Sequence, residues 1–211
     1  MNLLRETTIT NQNKRVSNKA KNKIGIYGGT FDPIHLGHLI TARSVMEIRK
    51  LSEIIFIPAY KSPLKLDVNS ASSDNRFAMT KKAVEKYKNF SVSNYEIEKN
   101  DISYTINTIK HFKEKYDNIE LIIGYDNFLI FDKWYKSDEI LELVDIVVLR
   151  RFYEEAVKPK VNSDKFIFVE TPTIQISSTV IRDRIAKNLP IDFLVTPEIQ
   201  DFIESKGLYK E

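Results

Sequence analysis

The stretch Ile-Gly-Ile-Tyr-Gly-Gly-Thr-Phe-Asp-Pro-Ile-His-Leu-Gly-His-Leu, residues 24–39, decides the fold. It opens with Ile24–Tyr27, a short apolar run that is typical of a buried strand. The paired glycines that follow, Gly28 and Gly29, let the backbone turn sharply and bring its N–H groups close to a bound group. The chain then enters a predicted helix, and the free N–H groups and dipole of a helix N-terminus attract anions. The stretch therefore predicts a strand, a tight turn and a helix that together bind phosphate.

Two of the chain's three histidines lie at this helix entry. His35 and His38 are three positions apart, so both rings can face one bound ligand. The alternatives are a helix cap with a packing residue, or a zinc site, which is the weaker idea because only two histidines and no cysteine are present. Neither the dinucleotide-binding pattern G-x-G-x-x-G nor the P-loop pattern G-x-x-x-x-G-K-[ST] fits the glycines. The spacing by itself favours phosphate binding.

The composition of the chain is that of an ordinary globular protein. It has 211 residues, of which 42% are hydrophobic and 29% are charged, enough for one sizeable core and short for two full domains. These fractions exclude wholesale disorder and fibrous architectures. The absence of cysteine removes disulfides, thiolate metal sites and cysteine nucleophiles, and no apolar run approaches the roughly 18 residues of a membrane span. We therefore expect a soluble, cytoplasmic protein without a membrane partner.

The positive charge of the chain is concentrated in residues 1–23, which hold six basic side chains and one acidic one. The rest of the chain has 26 basic and 28 acidic residues, a net charge of −2. A basic arm of this kind could bind nucleic acid. Its composition is rich in Asn, Thr and Lys and cannot bury a core, however. We expect residues 1–23 to be a disordered extension, residues 24–211 to form a single domain, and no nucleic acid to be a partner.

Apolar runs of strand length alternate with helical stretches along the rest of the chain. Strands are predicted at Ile24–Tyr27, Ile54–Ile57, Val92–Ile97, Leu121–Ile123, Ile146–Leu149 and Phe166–Val169. Helices are predicted at Leu39–Lys50, Arg76–Tyr87, Thr105–Tyr116, Asp126–Trp134, Ser137–Leu143, Thr179–Ala186 and Pro197–Ser205. Such alternation implies an α/β fold, with a twisted, mostly parallel sheet and helices on both faces. Ligands of such sheets bind at the carboxyl ends of the strands.

The first motif carries a resemblance to a known family. Residues 28–38 read Gly-Gly-Thr-Phe-Asp-Pro-x-His-x-Gly-His, which resembles the H-x-G-H signature of the nucleotidyltransferase superfamily and, in its G-G-T-F-D-P form, the nicotinate mononucleotide adenylyltransferases. Residues 176–182, Ile-Ser-Ser-Thr-Val-Ile-Arg, are similar to that family's I-S-S-T-x-I-R element. Ser178 and Thr179 are candidate N-cap residues of a helix, and Arg182, one turn later, offers a fork of donors suited to phosphate.

Three further segments extend the resemblance over residues 24–209. Ser103–Thr108 reads S-Y-T-I-N-T where the family has S-Y-T-I-D-T. Residues 121–126, followed by Trp134-Tyr135, are similar to the family's strand, G-x-D and W-Y. Residues 193–209 resemble its closing L-V-P…G-L-Y, with a threonine before the proline. The resemblance implies a Rossmann-like nucleotidyltransferase fold.

The resemblance also implies a reaction. The family transfers the adenylyl group of ATP to nicotinate mononucleotide, giving nicotinate adenine dinucleotide and pyrophosphate in NAD biosynthesis. Catalysis would rest on His35, His38 and Arg182, which are suited to positioning and neutralising phosphate and include no nucleophile–base pair. Mg²⁺ would bridge the phosphates of ATP and needs no metal ligand from the protein.

Binding residues follow from the matching positions. For ATP they are Gly28, Gly29, Thr30, Phe31, His35, His38, Asp126, Ile176, Ser177, Ser178 and Arg182. For nicotinate mononucleotide they are Lys65, Thr105, Trp134 and Tyr135. The resemblance implies that Asp126 binds ribose hydroxyls and that Trp134 stacks on the pyridine ring. It also implies that Thr105 and Tyr135 recognise the nicotinate carboxylate. On residue type alone, Trp134 fits a packing role as well.

Some positions depart from the family, and other activities stay open. The loop that carries Lys65 lacks the family's histidine but keeps its proline and lysine, so Lys65 stays a candidate phosphate contact. Arg150-Arg151 stands where many members have R-P-G, so the roles of these two arginines are undecided. The role of Arg76 is open as well. The alternatives are an adenylyltransferase acting on nicotinamide mononucleotide or phosphopantetheine, and a non-catalytic nucleotide-binding protein. A homo-oligomer is compatible with all of them.

Overall fold

The computed structural model describes residues 20–63, 70–150 and 164–210, which form a sheet flanked by helices. Its strands are β1 (Ala20–Gly29), β2 (Glu53–Pro58), β3 (Phe90–Val92), β4 (Tyr116–Gly124), β5 (Asp145–Arg150) and β6 (Phe166–Glu170). Its α-helices are α1 (Leu36–Arg49), α2 (Ser73–Val84), α3 (Tyr95–Lys99), α4 (Thr105–Lys113), α5 (Tyr125–Leu129), α6 (Ser137–Leu143), α7 (Ser178–Ala186) and α8 (Pro197–Lys206). A 3₁₀ turn spans Phe131–Lys133. None of the helices in these ranges combines the length and apolar character that crossing a bilayer requires.

The sheet has the order β3-β2-β1-β4-β5-β6, and all neighbouring strands are parallel. From the central strand β1, the chain adds β2 and β3 on one side. It then returns to the centre with β4, which lies beside β1, and adds β5 and β6 on the other side. In open sheets of this type ligands bind where the strand order reverses, here between the carboxyl ends of β1 and β4. The predicted α/β fold, with a parallel Rossmann-like sheet, is confirmed.

Hydrophobic side chains cover both faces of the sheet, as the helical crossovers require. Along β2, Ile54 and Phe56 belong to the cluster that packs under α1, α2, α7 and α8. Ile55 and Ile57, which alternate with them, belong to the second cluster, under α4, α5 and α6. Both clusters are buried, so the sheet is the middle layer of three and its strand ends are the accessible part.

Two predicted elements differ from the structure. The predicted strand Val92–Ile97 is wrong: β3 ends at Val92 and helix α3 begins at Tyr95. Two acidic residues in the first turn, Glu96 and Glu98, favour this helix start through the helix dipole, and they outweigh the alternating pattern. The predicted helix Asp126–Trp134 is divided into α5 and the 3₁₀ turn.

Strand β1 begins at Ala20, four residues before the predicted start. Its Lys23 contributes to an ion cluster around the buried Glu120, at the end of the sheet where β1 begins. Glu120 of β4, which is 3% exposed, accepts from Lys23 Nζ at 3.0 Å and from Arg49 Nη2 at 2.7 Å. The cluster therefore joins β1, β4 and the end of α1. Residues 1–19 lie outside the described residues, and the assignment of residues 1–23 to an extension stays a prediction.

Candidate active site

The loop between β1 and α1 forms the centre of the site. Tyr27 is paired with Ile122, and β1 and β4 end two residues later, at Gly29 and Gly124. The loop residue Phe31 is 3% exposed, and its ring meets that of His38 at a centroid distance of 5.1 Å. Helix α1 then begins at Leu36 with no acidic residue in its first turn. Its N-terminus therefore keeps the positive end of its dipole free of acidic neighbours within that turn.

The two predicted histidines stack on each other at the start of α1, with ring centroids 3.7 Å apart. His35 donates its backbone N–H to His38 Nδ1 at 3.3 Å. Because Nδ1 accepts, a neutral His38 carries its proton on Nε2 and is a donor there. Burial lowers the pKa of His35 to about 4, so this ring is neutral at pH 7. His35 thus contributes a neutral imidazole rather than a cation.

The second motif docks on the same loop from α7. Ser178 Oγ donates to the main-chain oxygen of Pro33 at 2.9 Å, and Arg182 Nη1 donates to the main-chain oxygen of Asp32 at 2.8 Å. The prediction that Ser178 caps the helix is wrong. Ser177 is the N-cap, and its hydroxyl accepts from the Val180 N–H at 3.2 Å. Ser178 is left to tie α7 to the loop.

Asp32 is the buried centre of these contacts, and the sequence motif gave it no role. Its side chain is 3% exposed, and Oδ1 accepts from the Ala71 N–H at 3.1 Å and from the Tyr209 hydroxyl at 2.7 Å. Arg182 Nη1 lies 3.7 Å from Oδ2. Burial, together with the Asp32 carboxylate, raises the pKa of Tyr209, so its hydroxyl stays protonated and donates.

Arg76, whose role the sequence left open, is 2% exposed and holds three loops together. Its guanidinium donates to the main-chain oxygens of Thr30 at 2.8 Å, Tyr60 at 3.0 Å and Ala71 at 3.0 Å. Tyr60 in turn donates its N–H to Ser103 Oγ at 2.9 Å. Burial lowers the pKa of Arg76, and Asp32 opposes that effect. A hydrogen-bonded chain therefore runs from the loop after β1 to the segment before α4.

The residues predicted to bind nicotinate mononucleotide surround the start of α4. Thr105 is the first residue of that helix, and the ring of the preceding Tyr104 meets Tyr135 at a centroid distance of 4.7 Å. Trp134 follows the 3₁₀ turn and packs on Phe131 at 5.3 Å. Its indole Nε1 is buried and has no hydrogen-bond partner among the described residues. Tyr135 is half exposed, so its ring is accessible beside the N-terminus of α4.

The remaining predicted residues have mixed positions. Gly28, near the end of β1, and Asp126, at the start of α5, are both exposed beside the switch point of the sheet. Ile176 packs against the core instead. Arg150 ends β5, while Lys65 and Arg151 lie outside the described residues. Within the described ranges, no group of three or more His, Cys, Asp and Glu side chains could hold a metal ion.

Comparisons with known proteins match this architecture. The cytidylyltransferase-like family model matches residues 26–184. A protein of Caldicellulosiruptor saccharolyticus named "Probable nicotinate-nucleotide adenylyltransferase" is 38% identical over 196 residues, covering 90% of this chain and 100% of that protein. A protein of the same name from Carboxydothermus hydrogenoformans is 39% identical over 198 residues, covering 89% and 98%.

Solved structures agree at the level of the fold. The Plasmodium falciparum nicotinic acid mononucleotide adenylyltransferase complexed with NaAD has a TM-score of 0.66 and 18% identity, covering 89% of this chain and 97% of that one. The same enzyme complexed with APC has a TM-score of 0.69 with the same identity and coverage. With its H-x-G-H loop, its docked I-S-S-T-x-I-R helix and relatives matched over their full length, the chain belongs to the nicotinate-nucleotide adenylyltransferase family.

Proposed function

We propose that the protein transfers the adenylyl group of ATP to nicotinate mononucleotide, releasing pyrophosphate and forming nicotinate adenine dinucleotide. The observation that carries the proposal is the docking of Ser178 and Arg182 on the main chain of residues 32–33. This docking brings the N-termini of α1 and α7 and the Arg182 guanidinium to one loop at the switch point of the sheet. Neither helix has an acidic residue in its first turn, which suits a polyanion such as triphosphate.

The proposed reaction is an in-line displacement without a covalent enzyme intermediate. A phosphate oxygen of the mononucleotide forms a bond to the α-phosphorus of ATP while the bond to the bridging oxygen breaks, and pyrophosphate leaves with that electron pair. The attacking phosphate is anionic near pH 7, so the reaction needs positioning and charge stabilisation more than a base. Arg182 supplies the fixed positive charge, and the Nε2–H of His38 donates to a phosphate oxygen that gains charge. The neutral His35 holds His38 by stacking and through its backbone N–H.

The acceptor pocket is proposed at the start of α4. Trp134 and Tyr135 offer ring faces to the pyridine, and Thr105 offers a hydroxyl and a helix N-terminal N–H to the nicotinate carboxylate. The hydrogen-bonded chain through Arg76 and Tyr60 ties this pocket to the ATP loop. The two substrates are thereby held on one rigid support.

The family usually works with a divalent metal ion. Because the described residues supply no cluster of metal ligands, we propose that Mg²⁺ arrives with ATP and is held by its phosphates and water. Bound in this way, the ion neutralises phosphate charge. Its identity, a cytoplasmic location and a homo-oligomeric assembly stay predictions.

Pyrophosphate release tests the proposed function directly. The protein would be incubated with ATP and Mg²⁺ and, in parallel, with nicotinate mononucleotide, nicotinamide mononucleotide or phosphopantetheine. We expect a strong preference for nicotinate mononucleotide. A preference for the nicotinamide compound would keep the mechanism and reject the carboxylate pocket at Thr105 and Tyr135. Activity with phosphopantetheine alone would reject nicotinate mononucleotide as the substrate. No pyrophosphate release with any of the three compounds would favour a non-catalytic nucleotide-binding protein.

Replacing His38 tests the assigned donor. We expect His38→Ala to lower kcat at least about 100-fold, the scale of losing one preorganised donor, while the protein stays folded. The matched control is His111→Ala, which removes the chain's third histidine from an exposed position on α4 and should leave kcat unchanged. Near wild-type turnover in His38→Ala would reject the role of His38.

A further inference from the structure

The segment that follows α8 is folded back toward the site by two consecutive devices. Helix α8 ends in a Schellman motif: Leu208 N–H donates to the Ile203 oxygen at 3.0 Å, and Gly207 N–H to the Glu204 oxygen at 3.2 Å. Gly207 has a left-handed φ of 61°, which a glycine adopts without strain. Tyr209 repeats the left-handed conformation with a φ of 63°. The backbone thus turns twice and directs the Tyr209 side chain to Asp32.

The hydroxyl of Tyr209 fixes the rotation of the Asp32 carboxylate. It donates to Oδ1 at 2.7 Å, and the Ala71 N–H donates to the same oxygen at 3.1 Å. The second oxygen, Oδ2, is buried and has no hydrogen-bond partner among the described residues. The carboxylate is therefore held by one oxygen, while its other oxygen faces the Arg182 guanidinium at 3.7 Å.

These contacts anchor Arg182 at the loop, but among the described residues they engage only part of its guanidinium. Its Nη1 donates to the Asp32 main-chain oxygen at 2.8 Å, and its Nη2 reaches Thr179 Oγ1 at 3.4 Å. A carboxylate that could turn freely would tend to engage a guanidinium through both oxygens, the geometry that such pairs favour. That pairing would occupy the N–H groups that a triphosphate needs.

We propose that Tyr209 is a positioning residue for ATP: its hydroxyl restrains the Asp32 carboxylate, so that Arg182 is anchored at the loop and keeps donors for phosphate. This inference rests on the proposed function, which places the triphosphate at Arg182. Tyr209 does not touch the substrate. Its proposed effect on ATP runs through Asp32 to Arg182.

A double-mutant cycle with Tyr209→Phe and Arg182→Ala tests the proposal on the full-length protein. ATP affinity is measured by calorimetry, and kcat/KM for ATP by pyrophosphate release. We expect Tyr209→Phe to weaken ATP binding about tenfold in the wild-type background and less than about twofold in the Arg182→Ala background. The affinity for nicotinate mononucleotide should not change. Equal losses in both backgrounds, no loss in either, or an equal loss for both substrates would overturn the proposal.

Two further variants separate positioning from folding. Tyr116→Phe, at the opposite end of the sheet, removes a hydroxyl from another buried tyrosine and should leave ATP affinity unchanged. Asp32→Asn removes the carboxylate that Tyr209 restrains, so adding Tyr209→Phe to Asp32→Asn should change ATP affinity less than about twofold. A further tenfold loss in the double variant would overturn the proposal, and this pair keeps the test decisive if Tyr209→Phe alone does not fold. Because the calorimetric arm uses ATP alone, a wild-type protein without adenylyl transfer would reject the proposed function and still give a result for Tyr209.

Discussion

At the scale of single residues, two glycines of β1 have opposite surroundings. Apart from its chain neighbours, no heavy atom of the described residues would lie within 4 Å of a Cβ on Gly28, whereas a Cβ on Gly25 would lie 2.8 Å from Leu51 Cδ1 and 2.9 Å from Ile122 Cδ1. Close packing of the hydrophobic core therefore accounts for a glycine at position 25. No group among the described residues occupies the space beside Gly28, so that space is open to a ligand.

The first prediction compares these two positions. Gly25→Ala should destabilise the fold by about 1–3 kcal/mol through overpacking and leave the KM for ATP unchanged. Gly28→Ala should stay within about 0.5 kcal/mol of wild-type stability and raise the KM for ATP at least about tenfold, because the added methyl group meets the nucleotide. Denaturant unfolding and steady-state kinetics check both. An unchanged KM in Gly28→Ala would remove this position from the ATP site.

His35 predicts a specific loss of stability in acid. Its pKa is about 4 in the folded protein and 6.5 ordinarily, so between these values the unfolded chain binds a proton that the folded protein excludes. Stability is therefore unaffected by His35 above about pH 6.5 and falls as the pH drops toward 4, by on the order of 3 kcal/mol. Urea unfolding of wild-type and His35→Gln proteins across this range should show the steeper decline in the wild type. Parallel declines would contradict the assignment.

Residue identities were predictable at the site where a motif named them, and less so where packing decides. The motif indicated His35, His38 and Arg182, and all three lie around the loop after β1. Ser177, Ser178 and Thr179 can each cap a helix, so the pattern does not choose among them. Asp32 and Tyr209 stand in quoted motifs, but their contact spans 177 positions, and no local pattern encodes it.

At the scale of elements, Arg76 fastens α2 to the loops that follow β1 and β2. Arg76→Ala should destabilise the protein by about 3 kcal/mol or more, because three partly buried carbonyl oxygens lose their donor. Arg76→Lys should recover only part of this, since an ammonium cannot reproduce the guanidinium fork. Thermal and denaturant unfolding measure the effect.

The control for Arg76 is Arg184→Ala. Arg184 donates one exposed hydrogen bond to the Pro190 oxygen, and its loss should cost less than about 1 kcal/mol. An Arg76→Ala protein as stable as this control, with lowered activity only, would show that Arg76 acts on the substrate instead.

The order of elements was largely predictable because apolar runs and helical periods alternate along the chain. The short elements β3 and α3 were not predicted correctly. The segment Tyr95–Lys99 alternates in polarity like a strand, yet β3 is an edge strand of three residues and the chain has already left the sheet. Strand β1 was predicted too short because its first residues are polar and read as part of the basic segment.

At the scale of the whole molecule, the ion cluster at Glu120 predicts where the chain can be shortened. Deleting residues 1–19 should leave stability, adenylyl transfer and salt-dependent RNA affinity unchanged. Deleting residues 1–23 also removes the first strand residues and the Lys23–Glu120 contact, and should cost about 2 kcal/mol. Equal stability of the two truncations would show that β1 does not need this start, and a loss of RNA affinity in the shorter deletion would reveal a binding arm.

The docking of α7 and Tyr209 on residues 32–33 has a consequence for folding kinetics. These contacts join positions 145, 150 and 177 residues apart, among the most distant pairs that the described chain brings together. Closing loops of such length is slow relative to local structure, and it depends on a sheet that is already in register. In refolding, the return of catalysis should therefore never precede the return of secondary structure. The rate at which turnover recovers would then report the rate of the last folding step.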